Sequence, residues 1–206
     1  MSQLGFDALL AEADTINRQA AFEKECGHLP ATMDAALPYF SDLIDRHHAA
    51  MLAADLETAM ALRKEAERLA LRLNDGDPGI LAGPDAPGCV LATRTAAVEG
   101  AIPKWGQCGN FIIEVCTMRV RIEMDGLFGI GARYMPWMNF YARAVDRDRP
   151  FLSETGFRSF MGLHAALVPG LTPEAFAREA ITAYVGRTLK AKLLPICAEY
   201  CQSIPA

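Results

Sequence analysis

The clearest periodicity in the chain lies at residues 118 to 124. There Met118, Val120, Ile122 and Met124 alternate with Arg119, Arg121 and Glu123. A period of two sends successive side chains to opposite sheet faces, so this segment predicts a strand with one buried face. Asp125-Gly126 follows directly, a dipeptide suited to the positive φ values of a two-residue hairpin turn. In that hairpin Gly129 and Gly131 would lie beside Ile122 and Val120, where missing side chains either bend the strand or let a ligand or a second backbone approach.

Upstream the period changes to that of a helix. Phe6, Leu9, Leu10, Ala13, Ile16 and Ala20 predict a first helix over residues 2–26 with one buried stripe, stopped by Gly27 and Pro30. A second helix begins near Asp34, with Pro38 in its first turn and Phe40, Leu43, Ile44, His47 and Met51 facing inward. Asp55 caps a third, whose stripe is Ala59, Leu62, Ala66, Leu69 and Leu73 and which ends at Asn74-Asp75-Gly76. Arg63, Lys64, Glu67, Arg68 and Arg72 fall mostly off that stripe. The short Ala53-Ala54 joint makes the second and third helices antiparallel neighbours.

Three prolines and three glycines fill DPGILAGPDAPG, residues 77–88, a loop that divides a helical unit (1–76) from an α+β unit (89–206), with one compact domain as the alternative. In the second unit, Cys89–Thr95, Phe111–Cys116 and Met138–Val145 read as further strands of a small, mainly antiparallel sheet, and 97–109 as a loop holding Trp105. Ser153 is placed to cap a short helix through Met161. Thr172-Pro173-Glu174 combines a capping hydroxyl, an N1 proline and a first-turn carboxylate, and opens a long helix with its stripe running from Ala177 to Leu193. The fold class is α+β.

Composition narrows the functional classes. With 51% hydrophobic and 22% charged residues the chain is globular. No apolar run is long enough to span a bilayer, and the acidic, amphipathic start is unlike a signal peptide, so a cytoplasmic protein without a membrane partner is expected. Six scattered cysteines fit reduced thiols. The net charge of -5 is uneven, with 7 Lys/Arg against 14 Asp/Glu in residues 1–78 and 8 against 6 after residue 140. The acidic N-terminal part suits a basic partner or a plain solvated surface better than it suits a nucleic acid.

Chemistry is concentrated in residues 133–159. Asp146, Arg147, Asp148, Arg149, Glu154, Thr155, Arg158 and Ser159 lie among Phe151, Phe157 and Phe160, and Tyr134, Met135, Trp137, Met138, Phe140 and Tyr141 crowd the stretch before them. Arginine forks recognise carboxylate or phosphate, and aromatic anchors bury large areas at an interface. Two plainer arrangements stand beside these: the acids and arginines pair with one another, and the rings belong to the core. The candidate binding residues are Arg133, Tyr134, Trp137, Arg147, Arg149, Glu154, Thr155, Arg158 and Ser159, and a protein is the expected partner. An enzyme acting on an anionic substrate through Arg147, Glu154, Arg158 and His164 is one alternative. Nucleic-acid binding through Arg147, Arg149, Arg187, Lys190 and Lys192 is another, and a homo-oligomer is compatible with all three.

No cofactor or metal is expected. Cys197/Cys201 and Cys26-Gly27-His28 lack zinc-knuckle spacing, and adjacent His47 and His48 point about 100° apart on a helix. Gly-x-Ser-x-Gly and P-loop motifs are absent, and Gly126, Gly129 and Gly131 run in the reverse of the dinucleotide order.

The stretches IDRHHAAMLAADLETAMALRKEAERLALRLN, GILAGPDAPGC, MRVRIEMDGLFGIG and DRDRPFLSETGFRSFMG resemble a family of small uncharacterised proteins from proteobacterial accessory genomes and plasmids. The likeness covers most of residues 40–195. It implies a mobile-element setting, where proteins bind host machinery or defence systems, and carries over no functional residues.

Overall fold

A computed structural model describes residues 3–163 and 165–201, with side chains from residue 10 onward. Helices α1 (Gln3–Cys26), α2 (Met33–Leu52) and α3 (Leu56–Leu73) come first, followed by a short α4 (Pro87–Arg94). Four antiparallel strands, β1 (Cys108–Val115), β2 (Met118–Asp125), β3 (Phe140–Ala144) and β4 (Phe157–Phe160), form one sheet in that order. Helix α5 (Pro173–Arg187) and the single turn α6 (Ala198–Cys201) complete an α+β fold.

The α2–α3 hairpin forms as its pattern predicts. Phe40, Leu43, Ile44, His47 and Met51 are buried on α2, and Asp55 accepts the Thr58 N–H at 3.0 Å to cap α3. Pro38 stands in the second turn of α2, since the helix starts at Met33. Thr172 caps α5 by accepting from the Ala175 N–H at 3.2 Å. On the sheet, Phe111, Ile113, Val120, Ile122, Phe140, Ala142 and Phe160 point inward and join the helices in one hydrophobic core.

Five expectations are corrected. Cys89–Thr95 is helix: Pro87 supplies the φ of a first helical residue, and Leu91 is fully buried against α2 and α3, where a strand would have no partner. Asp125-Gly126 does not close a hairpin, because β2 pairs with β1 and β3. The chain instead makes a 3-10 turn at Gly126–Phe128 that buries Leu127, and the tight hairpin turn is Cys116-Thr117, both at positive φ. Residues 157–160 are strand, not helix. Ser153 does receive a backbone N–H, that of Phe157 at 3.2 Å, but this bond bends the chain into β4. Helix α5 stops at Arg187, and past it Leu194 forms a β-bridge with Phe151. Finally, Leu10, Ala13, Ile16 and Ala20 of α1 are exposed rather than buried. The side chains of Phe6 and Leu9 lie outside the described residues.

Candidate functional site

Two regions of the molecule concentrate polar chemistry, one inside it and one on the outer face of the sheet. The inner one centres on Trp105, fully buried between the helices and the sheet. Its backbone C=O bonds His47 Nδ1 at 2.9 Å, its backbone N–H donates to His48 Nδ1 at 3.1 Å, and its indole N–H donates to Leu171 O at 2.8 Å. With Nδ1 donating to a carbonyl, the His47 Nε2 is free to accept, and Arg63 Nε donates to it at 2.9 Å. Burial, and next the Arg63 charge, push the His47 pKa down to about 3, so the ring is neutral.

Arg63 is only 4% exposed and has no carboxylate partner among the described residues. Its fork is consumed by backbone. Nη1 donates to Ala132 O at 2.9 Å and Met135 O at 2.6 Å; Nη2 donates to Pro136 O at 3.1 Å and lies 3.3 Å from Met51 Sδ. All five N–H groups therefore have acceptors, and burial lowers the Arg63 pKa to about 10. A small cleft of about 140 Å³ opens beside it between Ile80, Leu127, Phe128 and Gly129. A guanidinium so occupied has no donor left for an anion entering that cleft. The cluster holds the 132–136 loop and the 105–107 loop onto α2 and α3. Sequence reasoning placed His47 inward but missed Arg63. The signal was its neighbours: Ala59, Ala66 and Ala70 share its face at helical spacing and leave the room a long side chain needs.

The outer sheet face is different in kind. Strand register aligns Ile112, Arg121, Arg143 and Phe157 in one row across β1 to β4, and Asn110, Glu123, Tyr141 and Ser159 in the next. Ile112, Arg121 and Arg143 are exposed. Tyr141 and Phe157 stack at 5.9 Å, Arg143 lies 4.6 Å over the Phe157 ring and also holds Glu123 through two 2.8 Å bonds, and Arg119 meets Asp146 at 3.2 Å. Arg121 has no ion-pair partner among the described residues.

Of the candidate binding residues singled out in the sequence, Ser159 lies in these rows and the others lie off them. Trp137 is 3% exposed, stacked on Phe176 at 4.7 Å and 5.6 Å from Trp105, so it packs in the core. Met138 and Phe140 are buried with it. Arg133 and Tyr134 are exposed in the loop that Arg63 holds, where Arg133 pairs with Glu67 at 2.5 Å. Arg147 donates to Tyr200 O at 2.8 Å, and the Glu154 carbonyl accepts from Cys197 N at 2.8 Å, so both fix the C-terminal segment. Thr155 supports the turn into β4 beside Ser153. Arg158 packs over Tyr184 at 4.5 Å and lines a groove with Ser159 and Arg187, while Arg149 lies by the β1–β2 turn. His164 lies outside the described residues. The acids and arginines of 146–149 do not pair among themselves; Asp146 uses Arg119 of β2.

The thiols are free. Burial, and next the Asp125 charge, push Cys108 up to about 12, which keeps it protonated. Among the described residues no group of three or more His, Cys, Asp or Glu side chains is placed to hold a metal, and no helix is long and apolar enough to cross a membrane.

The chain is similar to two curated Escherichia coli proteins, each named Protein KlcB. One is 31% identical over 168 residues, 81% of this chain and 40% of the relative. The other is 32% identical over 151 residues, 72% of this chain and 32% of the relative. The aligned part thus spans well under half the length of these relatives. No family model matches, and no solved structure gives a significant match.

Proposed function

We propose that the chain is a non-enzymatic binding protein of mobile-element type, which engages a host macromolecule through the outer face of its sheet. One observation carries this reading: the register row Ile112–Arg121–Arg143–Phe157, an apolar and arginine-rich strip whose first three side chains are exposed, on a sheet whose other face joins the core. Rigid strands preset those side chains, so little conformational entropy is lost when a partner lands on them. Arginine and aromatic residues are also the types that concentrate binding energy at protein interfaces. A protein carrying acidic groups is the partner this chemistry suits. The plasmid and accessory-genome setting comes from the resemblance read in the sequence, and the two similar Escherichia coli proteins agree with a bacterial setting.

The buried polar cluster supports a binding role over a catalytic one. Its imidazole and guanidinium, both with protonation shifted by burial, are tied to backbone and to each other. Arg147, Glu154 and Arg158 are held apart by their separate duties on the C-terminal segment and Tyr184.

The test is capture from a proteobacterial host lysate by wild type and by the double variant Arg121→Glu/Arg143→Glu, with circular dichroism confirming both are folded. A specific protein retained by wild type and lost by the variant is the expected result. Equal recovery by the two removes the sheet face as the partner surface.

A further inference from the structure

An open sheet ends in two edge strands, each with a row of backbone N–H and C=O groups that no strand beside it uses. Here the edges are β1 and β4, and the chain treats them differently. The β1 edge is covered: the Ala97 N–H donates to Cys108 O at 2.8 Å, the Gly100 N–H to Asn110 O at 3.2 Å, and the Arg178 guanidinium to Glu114 O. The β4 edge is covered only at its start. There the Ser153 hydroxyl donates to Phe157 O at 2.7 Å and accepts the Phe157 N–H at 3.2 Å. Gly156 O accepts the Ala144 N–H at 2.9 Å, so the bonds to β3 fall on even-numbered residues. By alternation Ser159, and Met161 just past the strand, direct their N–H and C=O groups outward. Neither residue has a backbone partner among the described residues.

A groove of about 280 Å³ lies between this open edge and α5. Phe160, Leu163, Ala180 and Ala183 give it an apolar wall. Two cations stand at one end: Arg158 lies 4.5 Å over the Tyr184 ring, and Arg187 follows Tyr184 at i+3 on the same side of α5. Neither arginine has an ion-pair partner among the described residues. No acidic side chain lines the groove. Glu179 stands eight residues before Arg187 on α5, about 12 Å along the axis, and Glu154, in the turn before β4, pairs with neither cation.

We propose that this groove binds the carboxy-terminal residues of another protein as a fifth strand, with the terminal carboxylate held by Arg158 and Arg187. The direction follows from blockage and charge. Ser153 already occupies the bonding positions outside Phe157, so an added strand ends at the arginines. Laid antiparallel to β4, a chain arrives there with its carboxylate; laid parallel, it would bring its ammonium to two guanidinium groups. Ser159 and Met161 are about 7 Å apart along the edge, so their bonds engage the last three or four residues of the partner. Alternate side chains of that segment fall on the apolar wall, which suits apolar residues at those positions. A second copy of this chain, pairing edge to edge, would instead bring a second set of the same arginines to the groove. The groove is separate from the outer-face row of the sheet, so either surface can fail without the other.

Selection on the full chain from a random peptide library displayed with free carboxy-termini should enrich sequences with apolar residues alternating near the end. Fluorescence anisotropy of an enriched peptide then tests each contact. Its carboxy-terminal amide binds about tenfold more weakly or worse, and so does the free acid to Arg158→Gln/Arg187→Gln or to Ser159→Pro. Proline at the edge deletes an outward N–H and leaves the β3 ladder whole, so circular dichroism stays that of wild type. Of two peptides N-methylated at alternate amides, the one whose modified nitrogens face β4 loses binding and the other keeps it, a comparison that leaves the protein untouched. An empty selection overturns the proposal, as does an amide that binds as tightly as the acid or equal binding by the two N-methylated peptides. A dimer that Ser159→Pro dissociates in sedimentation overturns it in favour of a second copy. Arginine-dependent binding of a single-stranded oligonucleotide in place of peptide overturns it in favour of nucleic acid.

Discussion

Replacing Arg63 by methionine tests whether the buried guanidinium is the tie that holds the sheet loops on the helices. Methionine keeps the length and apolar packing but removes every donor. Three carbonyls, Ala132, Met135 and Pro136, and the His47 Nε2 would lose their N–H partner in a site that is 4% exposed. Each orphaned acceptor costs about 1–3 kcal/mol if nothing replaces the bond, while relief from burying a charge offsets part of the sum. The expected net loss is about 3–5 kcal/mol, the range found when one side of a buried polar pair is removed. For a chain of this size that lowers Tm by roughly 10–15 °C. Urea denaturation followed by circular dichroism gives the free energy, and buried Trp105 gives an independent fluorescence probe of the same loops. Arg63→Lys retains the charge without the planar fork and should fall between wild type and methionine. A methionine variant within about 1 kcal/mol of wild type would refute the tie, because no arrangement that leaves four buried acceptors unpaired is that cheap.

Stability should also fall in acid. His47 is held near pKa 3 in the folded chain and titrates near 6.5 when unfolded, so the unfolded chain takes up the extra proton. The contribution of His47 is complete above about pH 6.5 and is lost at roughly 1.4 kcal/mol per pH unit as pH falls toward 3; His47→Leu should flatten that slope in urea titrations between pH 7 and 5. Gly106 sits at φ +94°, and an added Cβ would meet His47 Nδ1 at 2.7 Å, so Gly106→Ala should cost about 2 kcal/mol or more by the same assay, whereas Gly100→Ala, at φ +81° with open space around the added Cβ, should lose only the backbone strain of about 1 kcal/mol. Trp137→Ala should lose about 3–5 kcal/mol, and any loss of partner capture should track the unfolded fraction measured by fluorescence.

Amphipathic order was legible in the sequence wherever local chemistry and tertiary burial agreed. The alternation of β2, the caps at Asp55 and Thr172 and the inward face of α2 all satisfy a local rule and a core contact at once. Misreadings arose where the two parted. Val90, Thr93 and Thr95 favour a strand locally, but Pro87 and the burial of Leu91 impose a helix. Asp125-Gly126 has hairpin chemistry, yet Leu127 gains more by entering the core through a 3-10 turn, while the hairpin forms at Cys116-Thr117, a pair with no turn signature. At the candidate site, Tyr141, Arg143, Phe157 and Ser159 fall in the dense stretch, but Ile112 and Arg121 come from strands that only the register brings alongside. Trp137 shows why crowding misleads: a run of aromatic residues looks the same whether it lines a core or a surface.

The fork of Arg63 reaches carbonyls about 70 residues further along the chain, across the proline-rich stretch 77–88. That stretch would make an attractive crossover point for genetic exchange, being irregular and largely at the surface. A hybrid joined there would inherit a cation without its carbonyl cage, or the cage without its cation, unless both parents carry the same tie. The two halves are thus heritable together, and variation reaching residue 63 must arrive with compensating change in the 132–136 loop.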